Sequence, residues 1–211
     1  MAWTWPVSGS CGTSARNRSG RPFAASRLIP WALILFSAFL VAACSSGNVI
    51  PATPLPTPES ASTGPIGTPV PTLEANHIPV GQPFQGYNSN PPTSGPHWGQ
   101  TARCGVYPDG LANETVVHNL EHGQVVMSYN LKDAAEVGRL TRTVQSLPDW
   151  GSFGILRFYP DIPEGQVAMT VWGVLDIQNG VNEARIAKFW EMYAHNRLSA
   201  ETKAVGPLPC S

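Results

Sequence analysis

The chain has 211 residues, only 13% of them charged, with 21 Pro and 20 Gly, a length that suits one domain plus appendages. Its net charge of −1 is unevenly spread: residues 1–44 hold Arg16, Arg18, Arg21 and Arg27 and no acid, leaving nine basic and fourteen acidic side chains beyond them, a net of −5. That balance excludes a phosphate-neutralising surface, so no nucleic-acid partner is expected, and no P-loop, dinucleotide glycine motif, heptad run or long repeat is visible.

The first segment reads as an address. An apolar run from Leu28 to Ala43 is short for a bilayer span, which needs about 20 residues, but it suits the core of a signal peptide. It ends in Val41-Ala42-Ala43-Cys44, which resembles a bacterial lipobox. That resemblance implies a signal peptide over 1–43, cleavage before Cys44 and lipidation of Cys44. Two or more acyl chains, at about 0.8 kcal/mol per buried methylene, would anchor the protein stably at the extracytoplasmic face of a bacterial membrane. The alternative is an uncleaved signal anchor. Residues 44–76 follow as a tether, with seven Pro between Val49 and Pro71, no apolar period and too little apolar surface to offset ordering.

A globular domain is expected over 77–211. Its N-terminal segment, 77–113, is rich in Pro, Gly and Asn, yet it carries Phe84, Tyr87, Trp98 and Tyr107 as packing anchors. Asn113 is a suitable N-cap, and Gly123 a suitable terminator, for a short helix between them. Residues 124–129 read as a strand. Residues 131–147 place apolar side chains at helical spacing until Pro148. Residues 153–159 alternate as a strand, and 166–177 form a long apolar run that reads as one central strand. Gln178-Asn179-Gly180 is a turn, and Asn182 can cap a helix reaching about Arg197, with Ile186, Phe189, Trp190, Tyr193 and Ala194 on one face. The order β-α-β-β-α predicts an α+β fold, a small antiparallel sheet with two helices on one face, partly ferredoxin-like but lacking its last strand.

Of four Cys, Cys11 lies in the signal region and Cys44 is the lipidation candidate. Cys104 and Cys210 remain, and in an exported domain such a pair most often forms a disulfide, worth on the order of 4 kcal/mol for so long a loop. Two free thiols or a thiolate metal site are the alternatives, although neither Cys has a second Cys or a His within three residues.

The chemistry sits in the histidines. His118-Asn-Leu-Glu121-His122 puts two imidazoles four residues apart, on one face of a helix. The same spacing is that of the inverted zincins, in which two His bind zinc and the Glu is a general base. Three positions are few, and a pair of capping or core His explains them as well. His97, in the turn Ser94-Gly-Pro-His-Trp98, is a third candidate. The two blocks Tyr87-Asn-Ser-Asn-Pro-Pro-Thr-Ser-Gly-Pro-His97-Trp98 and Val117-His-Asn-Leu-Glu-His-Gly123, with Tyr107 and Glu114 between them, resemble the DUF3105 family of exported proteins. The resemblance spans about 77–211 and names a kinship, not a reaction.

The expectation is a divalent transition-metal site, zinc or copper, with His97, His118 and His122 as ligands. Glu121 would be a fourth ligand, an orienting group or, in a zinc-dependent hydrolase, the base. Glu191 is the candidate downstream ligand for that hydrolase. Trp98 is expected to wall the site, and Trp150, Trp172 and Trp190 to lie in the core. Met127, Met169 and Met192 leave copper open, although core packing explains them better. His77 and His195 are not expected to bind. A structural or partner-binding surface protein, its partner unknown, is the remaining class.

The lipobox makes a direct prediction. Intact-mass analysis of membrane-derived protein is expected to show acyl mass on a chain beginning at Cys44, and Cys44→Ser is expected to remove it; wild-type protein without acyl mass would refute the anchor.

Overall fold

The computed structural model describes residues 64–210. The signal region, Cys44 and most of the expected tether lie outside the described residues. In chain order the elements are β1 (Thr68–Pro69), β2 (His77–Ile78), β3 (His97–Trp98), β4 (Gly105–Tyr107), α1 (Asn113–Glu121), β5 (Val125–Asn130) and α2 (Ala134–Gln145). Then come α3 (Trp150–Phe153), β6 (Gly154–Phe158), β7 (Gln166–Val171), β8 (Val174–Asn179), α4 (Glu183–Tyr193) and α5 (Ala200–Val205). No helix among these residues is long and apolar enough to cross a membrane.

The fold is α+β, built on a six-stranded sheet of order β1-β8-β7-β5-β6-β4. It is mixed, which corrects the antiparallel expectation: β6 pairs parallel with both β5 and β4. The connection explains this, because β5 reaches β6 through α2, and a helical crossover returns the chain in the same direction. The β5-α2-β6 unit is not split by an intervening strand, so the ferredoxin-like likeness does not hold.

Side chains alternate across the sheet and fill two layers. On one face Val125, Met127, Leu156, Val167 and Met169 meet Leu140 and Val144 of α2 and Ile186, Phe189 and Trp190 of α4. These are the two helices expected on one face, and Trp150 and Trp190 lie in this core as expected. On the other face Val126 and Ile155 meet Val116, Val117 and Leu120 of α1, with Trp172. The helix over the second face was not expected.

The run 166–177 is a hairpin rather than one strand. Val171 pairs with Val174 across Trp172-Gly173, and Gly173 has φ +68°, which favours glycine. The hairpin adds a strand before α4, and among the described residues no strand follows that helix. Asn182 does cap α4, accepting from Arg185 N at 3.0 Å.

Residues 64–76, expected to be tether, pack on the domain. β1 pairs with β8, and Val70 N donates to Gly173 O at 2.9 Å. The anchor is the buried pair Asp176–Arg185. Arg185 Nε and Nη2 donate to the two carboxylate oxygens at 2.7 and 2.6 Å, a bidentate fork. The same guanidinium donates to Gly64 O and Pro65 O, and Gly67 N donates to Asp176 Oδ1. The sequence gives this segment no apolar period because its hold is polar. Cys104 and Cys210 form the disulfide expected of them.

Asp176→Ala would leave Arg185 buried without its counter-charge, so urea unfolding is expected to show a loss of about 3–5 kcal/mol. The double change Asp176→Leu with Arg185→Met is expected to recover most of it. A loss for Asp176→Ala below about 1 kcal/mol, the range of exposed pairs, would show that the pair does not clamp the segment.

Candidate metal centre

The site forms where α1 meets the ribbon of β2 and β3. These two strands run parallel with His77 opposite His97, so two residues twenty apart in sequence become neighbours. His97 N also donates to Asn76 O at 3.0 Å. From α1 come His118 and Glu121, one turn apart.

One ligand atom from each of His77, His97, His118 and Glu121 lies within 4.8 Å of the others. The three imidazoles form a nearly equilateral triangle, with ring centroids 5.0, 4.9 and 4.9 Å apart. His97 is fully buried, His118 and Glu121 are 8% and 9% exposed, and His77 is exposed.

Backbone carbonyls orient two of the rings. His97 Nδ1 lies 2.8 Å from Gly95 O, and His118 Nδ1 lies 2.8 Å from Trp98 O. A carbonyl oxygen only accepts, so both Nδ1 atoms carry hydrogen. In a neutral ring Nε2 is then a lone pair, the tautomer a metal ligand needs. His97 Nε2 is buried and has no hydrogen bond of good geometry, and its partner is Glu121 Oε2 at 3.0 Å. Two acceptors at that distance require a cation close to both, either a proton on Nε2 or a metal ion.

The electrostatics are those of a ligand set. Burial, with the charges of His122 and His97, lowers the His118 pKa from 6.5 to about 4, so this ring is neutral at neutral pH. Burial alone would raise the Glu121 carboxyl, but the facing His97 imidazole, with the charges of His97, His118 and His77, outweighs it and keeps Glu121 below its ordinary range.

The structure divides the expected residues. His97, His118 and Glu121 come together. His122 does not join them: its ring stacks edge-on to His118 at 4.5 Å, and its Nε2 lies 3.4 Å from Glu201 Oε2. His77, not expected to take part, takes the fourth place. Glu191 is exposed and pairs with Lys188, so it is no downstream ligand. His195 lies on the Phe153 ring, 3.7 Å from Asp149, as a group apart. Trp98 serves the site through its carbonyl, while its indole N–H donates to Gln82 O. Trp172, in the core as expected, also lies edge-on to His97 at 6.5 Å. Met127 and Met169 pair across β5 and β7 in the core away from α1, and Met192 is exposed on α4, so no thioether is reserved for copper.

Asn113 is not the N-cap of α1. Ala112 occupies that position without a side-chain bond, and Asn113 Oδ1 instead accepts from Arg157 Nη2 at 2.8 Å. A fully buried guanidinium outbids the helix end, because each of its N–H groups left unpaired would be costly.

The family model described as "Protein of unknown function (DUF3105)" matches residues 77–206. No curated protein and no solved structure matches the chain.

The pH dependence of the chelator-treated protein follows from His118. Its folded pKa, about 4, lies below the unfolded value of 6.5, so between these values the unfolded chain binds the extra proton. Stability is therefore expected to fall as pH drops from about 6.5 towards 4, and the lowered Glu121 acts in the same direction below its ordinary range. Imidazole NMR checks the premise: a His118 ring titrating near 6.5 would contradict it.

Proposed function

The chain belongs to the DUF3105 family, whose function is unknown, and we propose from its own side chains that it binds one divalent transition-metal ion through His77, His97, His118 and Glu121. The observation that carries this reading is the convergence of one ligand atom each from His77, His97, His118 and Glu121 within 4.8 Å, with the buried His97 Nε2 facing Glu121 Oε2 at 3.0 Å. Three imidazole nitrogens and one carboxylate oxygen make a borderline donor set. It suits zinc or copper(II), and it is too nitrogen-rich for calcium or magnesium. Zinc fits best, since four such ligands match its tetrahedral preference. The two Nδ1–H···O=C bonds supply the outer support that metal-binding His normally have.

The hydrolase alternative loses support. An inverted zincin needs His118 and His122 together on the ion with Glu121 free as base. Here Glu121 is among the converging ligands and His122 pairs with Glu201.

The same proposal places the domain outside the cytoplasm, tethered to a membrane through a lipidated Cys44. The lipobox at 41–44 and the Cys104–Cys210 disulfide, a bond of oxidising compartments, support it.

Purified without a His tag, the protein is expected to take up about one equivalent of Zn²⁺, a count set by the one four-ligand cluster among the described residues. Calorimetry or elemental analysis reads the stoichiometry. His97→Ala and His118→Ala are expected to abolish uptake, and His122→Ala to leave it intact. Loss of metal in His122→Ala with retention in His97→Ala would overturn the ligand assignment.

A further inference from the structure

The four groups are not held alike. His97 and His118 are buried, and each ring is locked by a backbone carbonyl. Glu121 is nearly buried on a helix tied at both ends. His77 is exposed and stands on a strand of two residues. Its backbone is held beside β3, and its ring lies against the rings of His97 and His118 and beside Gly99. Among the described residues no hydrogen bond or ion pair orients it. A metal-binding His normally donates its second ring nitrogen to a partner, and that partner is what fixes the ring before the ion arrives. The site is thus three prepared ligands on the protein side and one unprepared ligand on the solvent side.

Charge says what would replace the unprepared one. A divalent ion with one carboxylate retains a charge of +1, and neutral imidazoles do not change it. A small monoanion arriving from solvent would neutralise the site, whereas His77 leaves it charged. What opposes the exchange is the metal–His77 bond itself, since His77 leaves a position already open to water and its ring holds no hydrogen bond to the described residues.

Resting on the metal reading above, we propose that His77 is a displaceable ligand, and that the position it covers accepts a small monoanionic donor such as a carboxylate or hydroxide. The site is then one for exchange at the metal rather than a closed structural staple.

The test uses the full chain in detergent, loaded with Co²⁺, whose visible spectrum reports its ligands, and azide as the monoanion. His77→Ala is expected to keep one Co²⁺ with affinity lowered about 10–100-fold, the cost of a supporting group rather than of a prepared ligand. Azide is expected to bind His77→Ala at least about tenfold more tightly than wild type, because the wild-type position is mostly taken. Added imidazole is expected to restore the wild-type spectrum. His77→Gln, which keeps a polar side chain, is expected to behave as His77→Ala, and far-UV circular dichroism shows that each variant is folded. If the folded variants lose Co²⁺ as completely as His118→Ala, or if azide at saturation leaves the wild-type Co²⁺ spectrum unchanged, His77 is not displaceable and the proposal is overturned. Wild type that binds no Co²⁺ or Zn²⁺ overturns the metal reading and this inference with it, a result distinct from either of those.

Discussion

A helix of nine residues does not hold itself together in water, where isolated helices shorter than about 12–15 residues are marginal. α1 is held by its surroundings, and the metal centre inherits its position from them. Val116, Val117 and Leu120 bury one side against the sheet and Trp172. At the N-terminal end the fully buried Arg157 donates to Leu111 O and Asn113 Oδ1, to Ser128 Oγ through Nε, and lies 4.2 Å over the Tyr159 ring. At the C-terminal end the carbonyls left over by the helix all find donors. Ser199 Oγ reaches Glu121 O, Leu208 N reaches His122 O, and Asn196 Nδ2 reaches Gly123 O. Gly123, at φ +85°, lets the chain turn there, and a side chain would strike Asn196 O.

The same clamp reaches the disulfide. Asn119, between the two α1 ligands, donates to Ala102 O and accepts from Ala102 N. It also bonds Gln124, whose amide donates to Leu208 O. Two otherwise irregular strips, around 102–104 and 208–210, are thereby fastened to the helix and its C-terminal end, and Cys104–Cys210 joins them covalently. The bridge constrains the frame that presents His118 and Glu121 and takes no part in ligation.

Helices α1, α2 and α4, strands β5 and β6 and three of the four cluster residues were legible in local pattern, because each depends on periodicity, caps or an unusual residue in a tight turn. What escaped depends on partners distant in sequence. His77 follows a proline-rich run that looks like tether, and only the parallel pairing with β3 brings it to His97. His122 was favoured over Glu121 because an i,i+4 pair shares a face, yet at about 100° per residue positions i+3 and i+4 flank His118 on opposite sides. Which flank meets the site is decided by His97, and no local rule reveals that. The 166–177 hairpin was hidden because its turn begins with Trp172, an apolar residue inside an apolar run, leaving Gly173 as its one local signal. The mixed sheet follows from the α2 crossover, and that could have been read from the β-α-β order itself.

Most buried polar groups among the described residues are matched, and of the few that are not, His97 Nε2 alone belongs to the group of converging ligand atoms. Arg157 is surrounded by acceptors, Asp176 and Arg185 satisfy each other, and Asn119 is bonded through both amide atoms. Leaving a buried acceptor unpaired costs about 1–3 kcal/mol, and a carboxylate oxygen set against it adds repulsion. His97 Nε2 would bear that cost as a bare lone pair, and a proton or a metal ion between it and Glu121 Oε2, 3.0 Å away, would remove it. Asn130 Oδ1 and the Gln178 amide are also unpartnered, but neither belongs to the group of converging ligand atoms. A proton on Nε2 would relieve the clash with Glu121 at His97 alone. It would not explain why His118, locked into the same Nδ1–H tautomer, and His77 turn towards the same point. That convergence of all four groups is what the proposed metal ion would account for.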